Sequence, residues 1–428
     1  MKKILLFLAS ALMLGACAQD REQVLKVYNW SDYMDYSVIP EFEKWYEEQT
    51  GEKVKVIVQT FDINETMLSK IEKGHEDYDV VCPSDYIIER MVRNDLLLPI
   101  GNDFGDTPNY IEQYVSPYVR SCFNKLDCGD KNANDYAVGY MWGTTGLIYN
   151  AKYVKPEEVS TWNVLRNPKF DGKIFIKDSA RDMFCQIIIY LHRDDLAAGR
   201  VTVDELMLDS SDEAIAEVEA FLQEASQYVA GWEADFGKDQ MVRERAWISV
   251  NWSGDGVWSR EQAKPLGVDL RYILPEEGYT VWFDGWVIPK FARNPKAARY
   301  WINFMNRPDI VVRNMDITGY VSTSAATEVL EKFIDESYDP IDLSYFFGPE
   351  ADSVRVDPVL YPDRSVIEKG GLEHDWGDRT PLLVEMWSRV KGDNANWVTV
   401  AVVAAALVAL LTFAVISRRS RNRKRRRR

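Results

Sequence analysis

The chain changes its hydrophobic period repeatedly, and each change marks an element. "LKVYNW" is a short apolar run that predicts a strand, and "SVIPEFEKWYEEQTG" follows with apolar residues at helical spacing and Gly51 as its stop. "KVKVIVQT" alternates like a half-exposed strand, "NETMLSKIEKG" predicts a helix capped by Asn64 and closed at Gly74, and "YDVVCP" predicts a short buried strand. The next helix begins at Ser84. Strand and helix in alternation imply a parallel sheet with right-handed crossovers and ligands beyond the carboxyl ends of its strands. Trp30, Ser31, Asp32 and Tyr33 follow the first strand and Ser84, Asp85 and Tyr86 the third, so both clusters belong on one rim.

A second α/β block begins near "YMWGTTGLIYN". It holds the strand "KIFIKD", the helix "SARDMFCQIIIYLHRDD", the amphipathic helix "SSDEAIAEVEAFLQEASQYVAGW" and the strand "WISVNW". "YTVWFDGWVIP" and the helix "NPKAARYWINFMNRP" then resume the style of a sheet protein. There is no internal repeat and no low-complexity linker ahead of the C-terminal tail. Two α/β lobes without a flexible linker predict several crossover strands and a cleft between them.

Composition sharpens the ligand class. The 428 residues are 46% hydrophobic, enough for a large core and two or three domains. Net charge is −16, yet the last eleven residues, "RRSRNRKRRRR", carry nine positive charges, so the rest carries −25. That balance opposes nucleic acid as a partner and suits a cationic ligand. At the N-terminus "MKKILLFLASALMLGAC" has the lysines, apolar core and small residues of a secretory signal. Its "LGAC" ending resembles a bacterial lipobox, which implies residues 1–17 as a lipoprotein leader and lipidation at Cys17. At the other end Trp397–Ile416 is an uncharged run of the length that crosses a bilayer, with residues 417–428 as a basic cytoplasmic tail and the folded part outside. Retention of that run and its removal as a sorting signal both remain open. Cys122 and Cys128 are near enough in sequence to pair, but sequence does not decide connectivity. With no CxxC and only His75, His192 and His374, no metal centre or cofactor is expected.

The segments "YNWSDY", "NETMLSKI", "YDVVCPSDY", "YMWGTTGLIYN", "DSARDMF", "NWSGD", "WFDGWVIP", "NRPD" and "TGY" stand in an order and approximate spacing that resembles the polyamine-binding proteins of bacterial ABC importers. The resemblance covers roughly residues 24–391. It implies an α/β, two-lobe periplasmic binding protein fold of type II with hinge crossovers, to which the sequence adds one C-terminal transmembrane helix. Lobe 1 is expected over 24–140 and 285–325, and lobe 2 over 141–284 and 326–391. It also implies a polyamine ligand, putrescine or spermidine, and partners in an ABC permease and its ATPase. The expected location is the periplasm or the outer face of the cytoplasmic membrane, with membrane attachment through the lipid and the C-terminal helix.

A polyamine is a thin methylene chain carrying spaced ammonium groups. Its receptor has to give each buried ammonium a carboxylate and wrap the methylenes in flat apolar surface, which tryptophan and tyrosine supply while also attracting cations. By resemblance, Trp30, Ser31, Asp32 and Tyr33 line one wall with Asp32 at an ammonium, and Ser84 and Tyr86 stand at the ligand, with Asp85 a further candidate between them. Ser84 and Asp85 equally suit a helix cap. From the second lobe come Asp182, Trp252 and Asp255, although "SGDG" also has turn composition. Where the family often carries a first carboxylate three residues ahead of Asp182, this chain has Ser179. Trp282 and Asp284, two apart on a strand, face the same side, and Trp286 continues that face or joins the core. Tyr320 and Glu373 complete the set. A diamine is served by two of these acids, whereas spermidine requires a third, for which Glu373 is the candidate.

An enzyme is the rival class, but there is no GxSxG elbow, P-loop, HExxH or glycine-rich dinucleotide turn. The reading is a receptor that performs no chemistry and hands a polyamine to an importer. The alternative is a polyamine-sensing membrane receptor acting through a partner protein.

Overall fold

The structure is a computed structural model that describes residues 21–233 and 236–392. Its main sheet runs in the order Lys55–Phe61, Val24–Trp30, Val80–Val81, Tyr279–Pro289, Ala137–Asn150, Ile248–Trp252, Ile174–Lys177 and Val229–Glu233. The first three strands are mutually parallel, as are the last three. Between them lie the two longest strands, Tyr279–Pro289 and Ala137–Asn150, which pair antiparallel with each other and with the blocks on either side. The expected all-parallel sheet is thus two parallel blocks hinged on an antiparallel pair. Every residue of both long strands is buried, which explains why they read as near-continuous apolar runs.

Helices form where the period predicts them. Val38–Thr50 ends at Gly51, whose left-handed φ of 72° closes the last turn with an N–H to Glu47. Three elements differ from expectation. The stretch after Ser211 is a helix only over Asp212–Ala225, and "VAGWE" continues as an edge strand of the second block. "SGDG" is not a turn but opens the helix Ser253–Ala263 directly from the strand end at Trp252. Asn64 is the first residue of its helix rather than its cap.

The expected membrane-spanning helix is corrected. Among the described residues no helix is long and apolar enough to cross a membrane, and the longest, Asp212–Ala225, has 14 residues, about 21 Å against a hydrocarbon core of about 30 Å. The run 397–416 and the basic tail lie outside the described residues, as do the leader and Cys17. Cys82, Cys122, Cys128 and Cys185 are buried free thiols, so Cys122 and Cys128 are not paired.

Candidate functional site

The carboxyl ends of the two parallel blocks face one another across the long strand pair. Asp284, in the middle of Tyr279–Pro289, is the centre of what collects there. Its Oδ1 accepts a hydrogen bond from the Ser84 hydroxyl at 2.6 Å, and its Oδ2 accepts one from the Tyr33 hydroxyl at 2.7 Å. Ser84 occupies the N-cap position of the helix Asp85–Arg93 without capping it, because its hydroxyl is turned to Asp284. Asn64 Nδ2 donates to both Ser84 Oγ and Tyr86 Oη at 3.0 Å, which fixes the rim of the first block.

From the second block Asp182, in the first turn of the helix Ala180–Leu191, accepts at Oδ1 from the Thr145 hydroxyl at 3.1 Å and from the Trp252 indole N–H at 3.0 Å. Ser179, where a first carboxylate was missing, is that helix's cap and accepts from the Asp182 N–H at 3.2 Å. Trp252, Trp282, Tyr320 and Tyr33 form a chain of edge-to-face rings with centroids 6.2, 5.6 and 5.4 Å apart. Gly254 is needed for that chain, since a Cβ there would lie 2.4 Å from the Tyr320 ring. Glu373 follows the strand Gly370–Leu372, which pairs with Tyr279–Val281 beside Trp282. Its neighbours are clamped to the first block: His374 Nδ1 lies 2.8 Å from Glu89, and Asp375 is 3.2 Å from Arg93.

The electrostatics are those of carboxylates crowded into a dry place. Burial lifts the Asp284 carboxyl from 3.8 to about 6, against the pull of the Ser84 and Tyr33 hydroxyls and with Asp182 adding to the rise. Burial likewise pushes Glu373 well above the usual carboxylate range, reinforced by Asp182 and Asp85 and opposed by Arg181. Glu373 Oε1 has no hydrogen-bond partner among the described residues. The nearby cation is Arg181, whose guanidinium is sandwiched between the rings of Tyr86 at 3.8 Å and Trp376 at 4.0 Å and donates to the His374 carbonyl. Such a site favours an incoming cation, because ionised carboxylates out of water are costly until a positive charge joins them.

The other sequence candidates are held differently. Ser31 and Asp32 are exposed, Ser31 donating to Asp62 at 2.8 Å and Asp32 holding a left-handed φ of 52° in the turn after the strand. Trp30 is half-buried against Phe61. Asp85 is wholly buried and structural: its two oxygens accept from the Tyr86 and Phe283 backbone N–H groups, tying the helix start to the central strand. Asp255 is engaged by Lys238 at 3.1 Å and by Lys177 at 3.6 Å. Trp286 is core, packed on Tyr140 and Trp301. Sequence reasoning missed Asn64, Thr145, Arg181 and Lys177. The only hint for Arg181 and Lys177 was their place within "KDSARD", a basic residue on either side of the strand end.

Buried carboxylates and aromatic rings gathered at the facing strand ends of two α/β lobes suit a solute receptor. The chain belongs to the bacterial extracellular solute-binding protein family, whose model matches residues 42–337. It is 27% identical over 398 residues to the spermidine/putrescine-binding periplasmic protein of Escherichia coli (strain K12), over 90% of this chain and 97% of that one. It is also 27% identical over 354 residues to the putrescine-binding periplasmic protein PotF of the same organism, over 78% and 87% of the two chains. The structure of the spermidine/putrescine ABC transporter substrate-binding protein PotD from Streptococcus pneumoniae matches with a TM-score of 0.62 at 26% identity, covering 86% of this chain and 98% of that one. The two-lobe periplasmic binding protein fold expected from the sequence is therefore borne out.

Proposed function

We propose that the chain captures a linear polyamine, putrescine or spermidine, in the slot around Asp284 and delivers it to the permease and ATPase of an ABC importer. The observation that carries this reading is the convergence of buried Asp284, Asp182 and Glu373 inside a wall of Trp252, Trp282, Tyr320, Tyr33 and Tyr86. Asp284 receives one ammonium, held in place by its two hydroxyl donors. Asp182 and Glu373 receive another across the slot, and the rings bury the methylenes between them. Cation contacts with such rings add on the order of 0.5–2 kcal/mol each. The chain performs no chemistry in this account; closure of the two lobes about the long strand pair supplies selectivity, and the partner ATPase supplies energy. Membership of an extracellular family and the names of the relatives support action in the periplasm.

Calorimetric titration with putrescine, spermidine and a neutral diol of matching length tests the reading. The amines are expected to bind at micromolar concentration or below and the diol not at all. Equal binding of the diol, or none by either amine, overturns it.

A further inference from the structure

Against the ring of Trp252 the chain has already built an ammonium receptor and filled it with one of its own side chains. Lys177 ends the strand Ile174–Lys177 and is 2% exposed. Its ammonium lies 3.7 Å from the centroid of the Trp252 ring. Around it stand Glu233 at 3.3 Å, Asp255 at 3.6 Å and the Asn251 amide oxygen at 3.2 Å. Glu233 is itself fixed by the Gly237 N–H at 2.9 Å, and Asp255 is shared with Lys238. An aromatic face, two carboxylates and an amide oxygen are the elements that recognise the end of an alkylammonium chain, and a lysine side chain is chemically such an end. Trp252 joins this ammonium to the carboxylate cluster: its ring carries Lys177, its indole N–H donates to Asp182 at 3.0 Å, and its centroid lies 6.2 Å from that of Trp282.

We infer that Lys177 is a resident stand-in for a ligand ammonium, and that by occupying the Trp252 face it limits the slot to two ammonium stations, making the protein selective for diamines over triamines. The inference rests on the polyamine reading above. A triamine brings one more charge than Asp284 and the Asp182–Glu373 pair receive, and its third ammonium meets a like charge at Trp252. Discrimination of this kind comes from the repulsive element as much as from the attractive ones.

The experiment is calorimetric titration of putrescine and spermidine into the wild-type protein and Lys177→Met, which keeps the apolar stem and removes the charge. Because Lys177→Met leaves Glu233 and Asp255 with less positive charge, Lys177→Met/Glu233→Gln is measured beside it as a variant with fewer unpaired acids. Wild type is expected to favour putrescine, and both variants to shift the spermidine-to-putrescine affinity ratio toward spermidine by about tenfold or more, a change of about 1.4 kcal/mol. Wild type that binds amines but keeps its ratio in the folded variants overturns the role of Lys177 alone. Wild type that binds neither amine removes the polyamine reading, and this inference with it. A variant too unstable to purify is replaced by Lys177→Gln, for which the same ratio decides.

Discussion

Asp284→Asn separates what the carboxylate does for binding from what it does to the fold. The substitution keeps the shape of the side chain, and its amide still meets both neighbours, since the Ser84 and Tyr33 hydroxyls rotate to accept as readily as they donate. What disappears is a buried negative charge. Burial raises that carboxyl from 3.8 to about 6, a displacement equivalent to about 3 kcal/mol between its ionised and protonated forms. The folded protein thus holds the proton more tightly than the unfolded chain. The stability this group contributes is present at low pH and is lost as pH rises from 3.8 through about 6. Unliganded Asp284→Asn should therefore be more stable than wild type at neutral pH by up to about 3 kcal/mol, the gap closing near pH 4. With putrescine the order reverses, because loss of a buried charge partner weakens binding by about 2–5 kcal/mol. Denaturant unfolding across that pH range, with and without saturating putrescine, reads both effects. A variant less stable than wild type at neutral pH, or one that binds putrescine as tightly, would refute the reasoning.

Two further substitutions address the aromatic wall. Trp252→Ala removes the N–H partner of Asp182 and the surface under Lys177 together, and should weaken amine binding by about 2–4 kcal/mol as a central aromatic anchor does, with Trp252→Phe intermediate by titration. Gly254→Ala would add about 1 kcal/mol to an exposed helix, but here its Cβ would press on the Tyr320 ring at 2.4 Å, so thermal unfolding should show a net loss of about 1–3 kcal/mol.

Much of the architecture was legible because period and punctuation agree: the Gly51 stop, the alternation of "KVKVIVQT" and the long buried runs of the two central strands each leave a local trace. The antiparallel sense of those central strands left none, since pairing partners are set by contacts far apart in sequence. At the site, Tyr33, Ser84, Tyr86, Asp182, Trp252, Trp282, Asp284, Tyr320 and Glu373 do converge, because the strand ends and first helical turns of both blocks meet over the middle of the long strand that carries Trp282 and Asp284. Asp85 and Asp255 show the limit of the same logic. A carboxylate beside an aromatic looks alike in sequence whether it faces a slot or anchors backbone N–H groups and lysines. Lys177 was missed for a related reason: a lysine at a strand end ordinarily reaches solvent, and only the fold reveals that this one turns inward onto Trp252.

The central claim is that a cation enters a cluster of buried carboxylates whose proton affinities are raised. Calorimetry of putrescine binding near pH 6, repeated in two buffers of different protonation enthalpy, tests it directly. As the ammonium enters, Asp284, whose carboxyl burial lifts to about 6, should surrender the proton it holds in part of the unliganded protein, so the account predicts net proton release, in wild type more than in Asp284→Asn. Binding heats that are independent of the buffer, or net proton uptake, would contradict it.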